Sequence, residues 1–592
     1  MKLKIWLNLL ISLAFILNIS ACFAKDNDIK IFKFDNGYTV VIKEIHSNPI
    51  VMLDTWVKTG SVNENDVNNG VAHFLEHLFF KGTKCHKRGE FEKILESKGG
   101  VFNAATSKDF THYYIKIASN YFDTALELQS DMLLNVAIPQ NELDMERKVV
   151  QEEIRRSKDE PTDVLYDNLN SILFSHHPYK RETLGTEQII GSISRDKIFE
   201  FHDKWYTPSN MTTVIVGDVD AEKILPLIKK KFLACNCPPQ SSQTVVSKYP
   251  KEPFITKVTK KVEKGKYNTG YLMIGFKTTD IKNKKDIYAL DLASMIFGDG
   301  RTSRLYQSIK EQKHLATSIS ASNFSMRDDG IFYIAATFEP KNYDELYKSV
   351  VQELHKFTSS KVTEEELNRA KTLMERSFIY SNESVGSVAG SIGYDMTVGG
   401  DISYYSDYLD DINKITPDDI YQAVNKYIKD NKMAISVVLP ESTDQNLKPV
   451  NNIIPVNTLK STTKGVEQFS LNNGIDLILD PNRYNDIVSL SVLVKGGNYI
   501  EPIPGLSTVI AGTLLKGTTS KNSLEIAKEL ENSGIEISPS PSDNYFEISF
   551  KSTKADFDKA FDILEDIMKH PTFPQEYIDK VKKDILSSIE VM

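Results

Sequence analysis

Gly70-Val-Ala-His73-Phe-Leu-Glu76-His77-Leu-Phe-Phe-Lys-Gly82 is the stretch from which the rest of this chain is read. Its apolar residues Val71, Phe74, Leu75, Leu78 and Phe79 predict a buried helix that stops at Lys81-Gly82. On a helix His73 and His77, four residues apart, lie one above the other, so both imidazoles reach a single metal ion. Glu76 stands on the flank of that face, where it can hold a water at the metal without ligating it. A chance histidine pair on an amphipathic helix is the plain alternative. Against it stands the cost of burying two unpaired imidazoles and a carboxylate. Two ligands, a base and an open coordination position are the equipment of a zinc hydrolase, and H-x-x-E-H is the inverse of the H-E-x-x-H metalloprotease helix.

Outward from this helix the pattern is mixed. Residues alternate from Ile29 to Glu44 around Asp35-Asn36-Gly37, which predicts a hairpin, and Val51 to Val57 predicts a further strand. After the histidine helix come a helix from about Glu90 to Lys98, strands at Val101–Ala105 and Thr111–Ile117, and a helix from Tyr121 to Asn135. A long helix then runs from about Asn141 to Ser157, helical patterns continue to Trp205, and Met211–Gly217 reads as a buried strand. This is α+β: a sheet covered by helices on one face.

The long helix is where a third ligand is expected. Glu146 and Glu153 are two turns apart on one face, which also carries Val149 and Val150 and so reads as buried. A solvated face is the ordinary reading of such a glutamate pair, but two neighbouring buried carboxylates need a cation. Taken together, His73-x-x-Glu76-His77 followed by Glu153 within Glu146-Arg-Lys-Val-Val-Gln-Glu-Glu153 resembles the pitrilysin/insulinase metallopeptidases, whose relatives include processing peptidases. The resemblance implies one zinc ion held by His73, His77 and Glu153, Glu76 as general base, and Glu146 as a supporting carboxylate. It also implies that the segment containing Asn103, Ala104 and Thr106 is an edge strand to which a peptide substrate adds. Finally, it implies repeated two-layer domains, with antiparallel or mixed sheets, that close as clamshell pairs on unfolded or extended peptides.

Internal similarity agrees with pairing. A second domain, about 256–440, follows the first, 25–240, at an offset of 222 residues: Lys204-Trp205 falls on Lys426-Tyr427 and Met211 on Met433. It has no H-x-x-E-H. The family's substrate-contacting Arg and Tyr, seven apart, correspond here to Lys310 and Thr317, neither of which replaces its counterpart. A third copy, 464–592, overlays the first at an offset of 435 (Gly505 on Gly70). There His73 becomes Thr508, Glu76 becomes Ala511, His77 becomes Gly512 and Glu153 becomes Ser588, so this copy is expected to bind no zinc. It reads as incomplete: either the chain is a truncated product, or a partner subunit supplies the remainder with the Arg/Tyr-bearing fourth domain. Linkers are expected at 235–255 and 440–463.

Composition excludes little else. A net charge of −9 without basic blocks argues against nucleic acid as a partner. Lys2, Lys4 and the apolar run from Ile5 to Ile19 predict a signal peptide over 1–24, hence export to a periplasm. Cleavage after Ala24 is one reading. Ile19-Ser20-Ala21-Cys22 also resembles a lipoprotein box, which would anchor the chain through a lipid on Cys22. Cys85, Cys235 and Cys237 read as ordinary residues. The competing functions are a non-catalytic structural or binding subunit, a zinc-bound fragment inactive without its partner, and a lyase on a related helix. Glu76 speaks against the first, and the repeats speak against the last.

Overall fold

The computed structural model describes residues 29–232, 249–441, 467–470, 475–480 and 486–591. The expected leader, Cys22, Cys235, Cys237 and most of both expected linkers lie outside the described residues.

The first unit is built on six strands: β1 (Ile29–Lys33), β2 (Thr39–Glu44), β3 (Ile50–Val57), β4 (Val101–Thr106), β5 (Thr111–Ala118) and β6 (Met211–Gly217). They lie in the order β1-β2-β6-β3-β5-β4, antiparallel except for the β2–β6 pair. The second unit repeats the order without the first strand. Its β7 (Thr259–Gly265), β8 (Gly270–Lys277), β9 (Ser318–Ser325), β10 (Gly330–Phe338) and β11 (Ala434–Pro440) run β7-β11-β8-β10-β9, and β7–β11 is again the parallel pair. The edge position of β4 is thus a consequence of topology: the long excursion through the helices returns as β6 in the middle, leaving β4 outermost.

One face of the first sheet is covered by its own helices, where Val51, Leu53, Ile115 and Ile215 meet Phe74, Leu75, Leu78 and Leu126. The other face is also dry, which the sequence reading did not anticipate. Helix Val385–Tyr394 of the second unit lays Val388, Ala389 and Ile392 on Val41, Met52, Trp56, Val214 and Val216. In return, helix Pro161–Leu173 of the first unit lays Leu165 and Leu169 on Met273, Ala434 and Val438 of the second sheet. Each unit lends the other a helix. That explains why β3 and β6 carry apolar residues at both parities instead of alternating. The contact is close: a Cβ on Gly393 would stand 2.0 Å from Trp56 Nε1. Charge is buried at this boundary too. Asp109, in the β4–β5 turn, accepts hydrogen bonds from Tyr179 Oη at 2.7 and 2.8 Å and from the backbone of Arg327 at 3.0 Å. Glu252, inside the stretch expected as linker, is buried and accepts from the backbone N–H groups of Ser175, His176 and His177, so the end of that stretch belongs to the interface.

The third unit has a three-stranded sheet, β14 (Ile487–Lys495), β16 (Tyr545–Thr553) and β15 (Glu536–Pro541) in that order, and a separate hairpin of β12 (Glu467–Ser470) and β13 (Asp476–Leu479). At the 435-residue offset β4 maps onto β15, and helix Phe122–Leu134 maps onto helix Phe557–Lys569, residue for residue. Fine detail is repeated as well. Gly70 and Gly505 are both left-handed, with φ of 92° and 87°, and the non-glycine outliers Ile138 and Phe573 have φ of 45° and 44°. This unit docks on the second one, through Arg376–Asp556 at 2.8 Å and Tyr380 Oη to Gly534 O at 2.8 Å among others. No described helix is long and apolar enough to cross a membrane.

Candidate metal centre

Two helices build the site. The first, Val71–Phe79, starts abruptly at Gly70, whose left-handed backbone passes so near Leu184 that a Cβ would sit 2.5 Å from its carbonyl oxygen. No local side chain caps this end. Instead the buried Glu64 accepts from the N–H groups of Gly70 and Ala72 and from Asn69 Nδ2, each at 2.8 Å. Three donors on one carboxylate satisfy a helix start that cannot reach water. The second helix, Gln140–Asp159, buries Leu143, Glu146, Val150 and Ile154 and packs across the first. Val149, expected on the buried face with Glu146 and Glu153, is instead 51% exposed. It lies about 100° around the helix from Val150, enough to turn it to solvent.

His73, His77 and Glu153 converge, each offering an atom within 4.8 Å of the others. The two imidazole Nε2 atoms are 3.2 Å apart. Glu153 Oε1 is 3.7 Å from His73 Nε2, and its Oε2 is 3.4 Å from His77 Nε2. A tetrahedron with zinc–ligand bonds of about 2.0–2.1 Å has edges near 3.3 Å, so these separations fit that ion. His73 Nδ1 is buried and has no hydrogen-bond partner.

Behind His77 runs a supporting chain. Glu146 Oε1 is 2.9 Å from His77 Nδ1 and its Oε2 is 2.8 Å from Lys81 Nζ. Burial would push the Glu146 carboxyl up, but the hydrogen bonds of His77 and Lys81 outweigh it and hold it down. Burial likewise opposes charge on His77, yet Glu146 and Glu153 raise that imidazole to about 9. His73 goes the other way, to about 4, through burial first and then its charged neighbour His77. The two carboxylates thus favour charge on His77, and burial disfavours it on His73. Lys81 was not among the residues picked from sequence. Its place one helical turn beyond His77 was the available signal.

Glu76 lies beside this cluster, its carboxyl raised by burial against the pull of a hydrogen bond donated by Thr106 Oγ1. Thr106 ends the edge strand β4. Phe102, Ala104 and Thr106 turn toward the helices, and Val101, Asn103 and Ala105 turn away from them. Asn103 Oδ1 accepts from the N–H of Ala104 at 2.9 Å, on the outermost strand of the sheet. Next to Glu153 opens a cleft of about 670 Å³, lined by Glu160, Asp163, Asp167 and Glu182 against Arg156 and Lys158 among others. Lys310 and Thr317 are not at this site. The Lys310 backbone carbonyl lies 3.4 Å from Lys580 Nζ, and Thr317 borders a cavity of about 400 Å³ between the second and third units.

Comparisons with known proteins agree on the family. The model described as Insulinase (Peptidase family M16) matches residues 39–187 and again 477–592, and that of the Peptidase M16 inactive domain matches 192–374. The chain is 32% identical over 409 residues to the zinc protease PqqE of Helicobacter pylori, covering 68% of this chain and 91% of that one. It is 28% identical to the uncharacterized zinc protease YmxG of Bacillus subtilis, covering 65% and 92%. A solved protease structure from Helicobacter pylori superposes with a TM-score of 0.65 at 31% identity, over 70% of this chain and 99% of that one. A Pseudomonas fluorescens peptidase M16 inactive domain shares the fold, with a TM-score of 0.64 at 19% identity, over 71% of this chain and all of that one. The two family models cover most of the described sequence between them, and this chain belongs to the M16 peptidase family, among relatives named zinc proteases.

Proposed function

We propose that this chain is an exported zinc metalloendopeptidase acting on unfolded or extended peptides. The observation that carries the reading is the convergence of His73, His77 and Glu153 with Glu76 alongside. His73, His77 and Glu153 would hold one zinc ion. When bound, that ion supplies Lewis-acid polarisation. Glu146, itself neutralised by Lys81, orients His77 through Nδ1. Glu76 takes the proton of the attacking water and returns it to the leaving amine. The free edge of β4 receives the peptide as an added strand, with Asn103 and Ala104 lining the approach. Export is supported by the leader sequence at 1–24, with an anchor at Cys22 as its variant in a periplasm.

A second reading has its own support. Lys310 and Thr317, the positions that correspond to the family's Arg and Tyr, face the third unit and not Glu76 and its neighbours. On that reading the chain binds zinc and stays silent until a partner subunit supplies an Arg/Tyr-bearing domain. Hydrolysis of a quenched, unstructured peptide pool by the purified chain, run beside metal analysis, tests both. Turnover abolished in Glu76→Gln with zinc retained supports the peptidase. Zinc without turnover in the unaltered chain supports the partner-dependent form, and absence of zinc overturns both.

A further inference from the structure

The third unit is an internal control for the first, because it keeps the elements around the site helix and has lost the site residues. Some hydrogen-bonded pairs survive the loss. The remote carboxylate cap of the site helix recurs as Glu501, accepting from the N–H groups of Gly505 and Ser507 at 2.6 and 2.8 Å. The half-buried Thr83–Asp131 pair recurs as Thr518–Asp566 at 2.8 Å. These pairs serve the fold. Others vanish together. Where His77 meets Glu146, Gly512 meets Val581, with the γ-carbons of Val581 2.9 Å from the Cβ that Gly512 lacks. Where Glu76 meets Thr106, the third unit has Ala511 and Pro541. A proline has neither a hydroxyl nor an N–H. The threonine thus sorts with the base, although it belongs to the strand.

We propose that Thr106 is a positioning residue for Glu76 and not a contact for substrate. This rests on the peptidase reading above. A threonine has one proton to donate, and Thr106 gives it to Glu76 Oε2. No other hydrogen bond reaches that carboxylate among the described residues. Oε2 is therefore held, and Oε1 is left to accept the proton of the attacking water. The arrangement also ties the base to the strand that receives the peptide, because Thr106 is the last residue of β4 and is paired to Thr111 of β5. Its side chain points into the helix layer, so a peptide added along the free edge meets its backbone and not its hydroxyl.

The test compares Thr106→Val and Thr106→Ser in the full chain by zinc content, steady-state hydrolysis of a quenched peptide, and a crystal structure of each variant. Thr106→Val is expected to keep its zinc and KM and to lose about ten- to a hundredfold in kcat, the worth of one hydrogen bond to a charged group. Its Glu76 carboxylate should be displaced or split over two rotamers, and Thr106→Ser should restore both kcat and the single rotamer. A raised KM with kcat unchanged would make Thr106 a substrate contact and overturn the proposal. So would an unmoved Glu76 in a folded, zinc-bearing Thr106→Val protein. If the unaltered chain binds zinc but hydrolyses nothing, the peptidase reading yields to the partner-dependent one, and the Glu76 rotamer in the variant still decides the role of Thr106.

Discussion

Helices Val71–Phe79 and Leu506–Thr513 begin in the same way and carry opposite chemistry. Both start on a left-handed glycine, and both are capped by a carboxylate from the preceding loop. The first then commits buried space to His73, Glu76 and His77. The second fills the same places with Thr508, Ala511 and Gly512. The difference separates two kinds of constraint. Glycine and cap are required by the backbone, since a helix start in the interior must have its N–H groups satisfied whatever follows. Buried imidazoles and carboxylates are required by nothing in the fold. They cost desolvation, which a cation offsets and an empty site does not.

The largest effects should come from breaking the first helix. Glu76→Gln is expected to lower kcat by about 10²–10⁴-fold, the range for a general base, while metal analysis still finds zinc. His73→Ala or His77→Ala should abolish stoichiometric zinc, measured by mass spectrometry of the native protein. Glu146→Ala leaves all three ligands and removes only what orients His77, so zinc affinity should fall by about 10–100-fold in a chelator competition.

Acid should weaken metal binding in a predictable sense. His77 is raised to about 9 by Glu146 and Glu153, and His73 is lowered to about 4. Between those values one proton must leave His77 before the ligand lone pair is available. Apparent zinc affinity should then fall about tenfold for each pH unit below 9, as read by titration calorimetry with buffers of different ionisation enthalpy.

Making the second helix resemble the first should do little good and some harm. Gly512→His drives a side chain into Val581 and should cost about 1–3 kcal/mol without gaining metal, seen as a lowered denaturation midpoint. A stability effect of the same kind lies away from both helices. A Cβ on Gly393 would stand 2.0 Å from Trp56 Nε1 at the first two units' boundary, so Gly393→Ala forces the exchanged helix to shift and should cost about 1–3 kcal/mol, read by the same midpoint.

Much of the first unit was legible because its signals are local. Hairpin, strands and helices were read within a residue or two of their ends, and the spacing of His73 and His77 announced a shared face before any fold was known. Glu153 was named by resemblance to a family motif, since nothing in a glutamate pair two turns apart says which of them leans toward the histidines. Val149 shows the limit of such reading: a one-residue difference in helical phase decided between core and solvent.

By itself, then, the sequence determined the elements, the repeat of their order, the loss of site residues from the third copy and the pair of imidazoles on one helix. All follow from periodicities of two and 3.6 and from residue types within a few positions of one another. The tertiary structure decided the rest: that β6 returns to the middle and leaves β4 at the edge, that each of the first two units covers the other's sheet with a borrowed helix, that Lys81 neutralises Glu146, and that a threonine 30 positions from Glu76 holds its carboxylate. Such contacts join residues remote in the chain, and their partners are chosen by packing and by the need to satisfy buried polar groups. No local pattern encodes that choice.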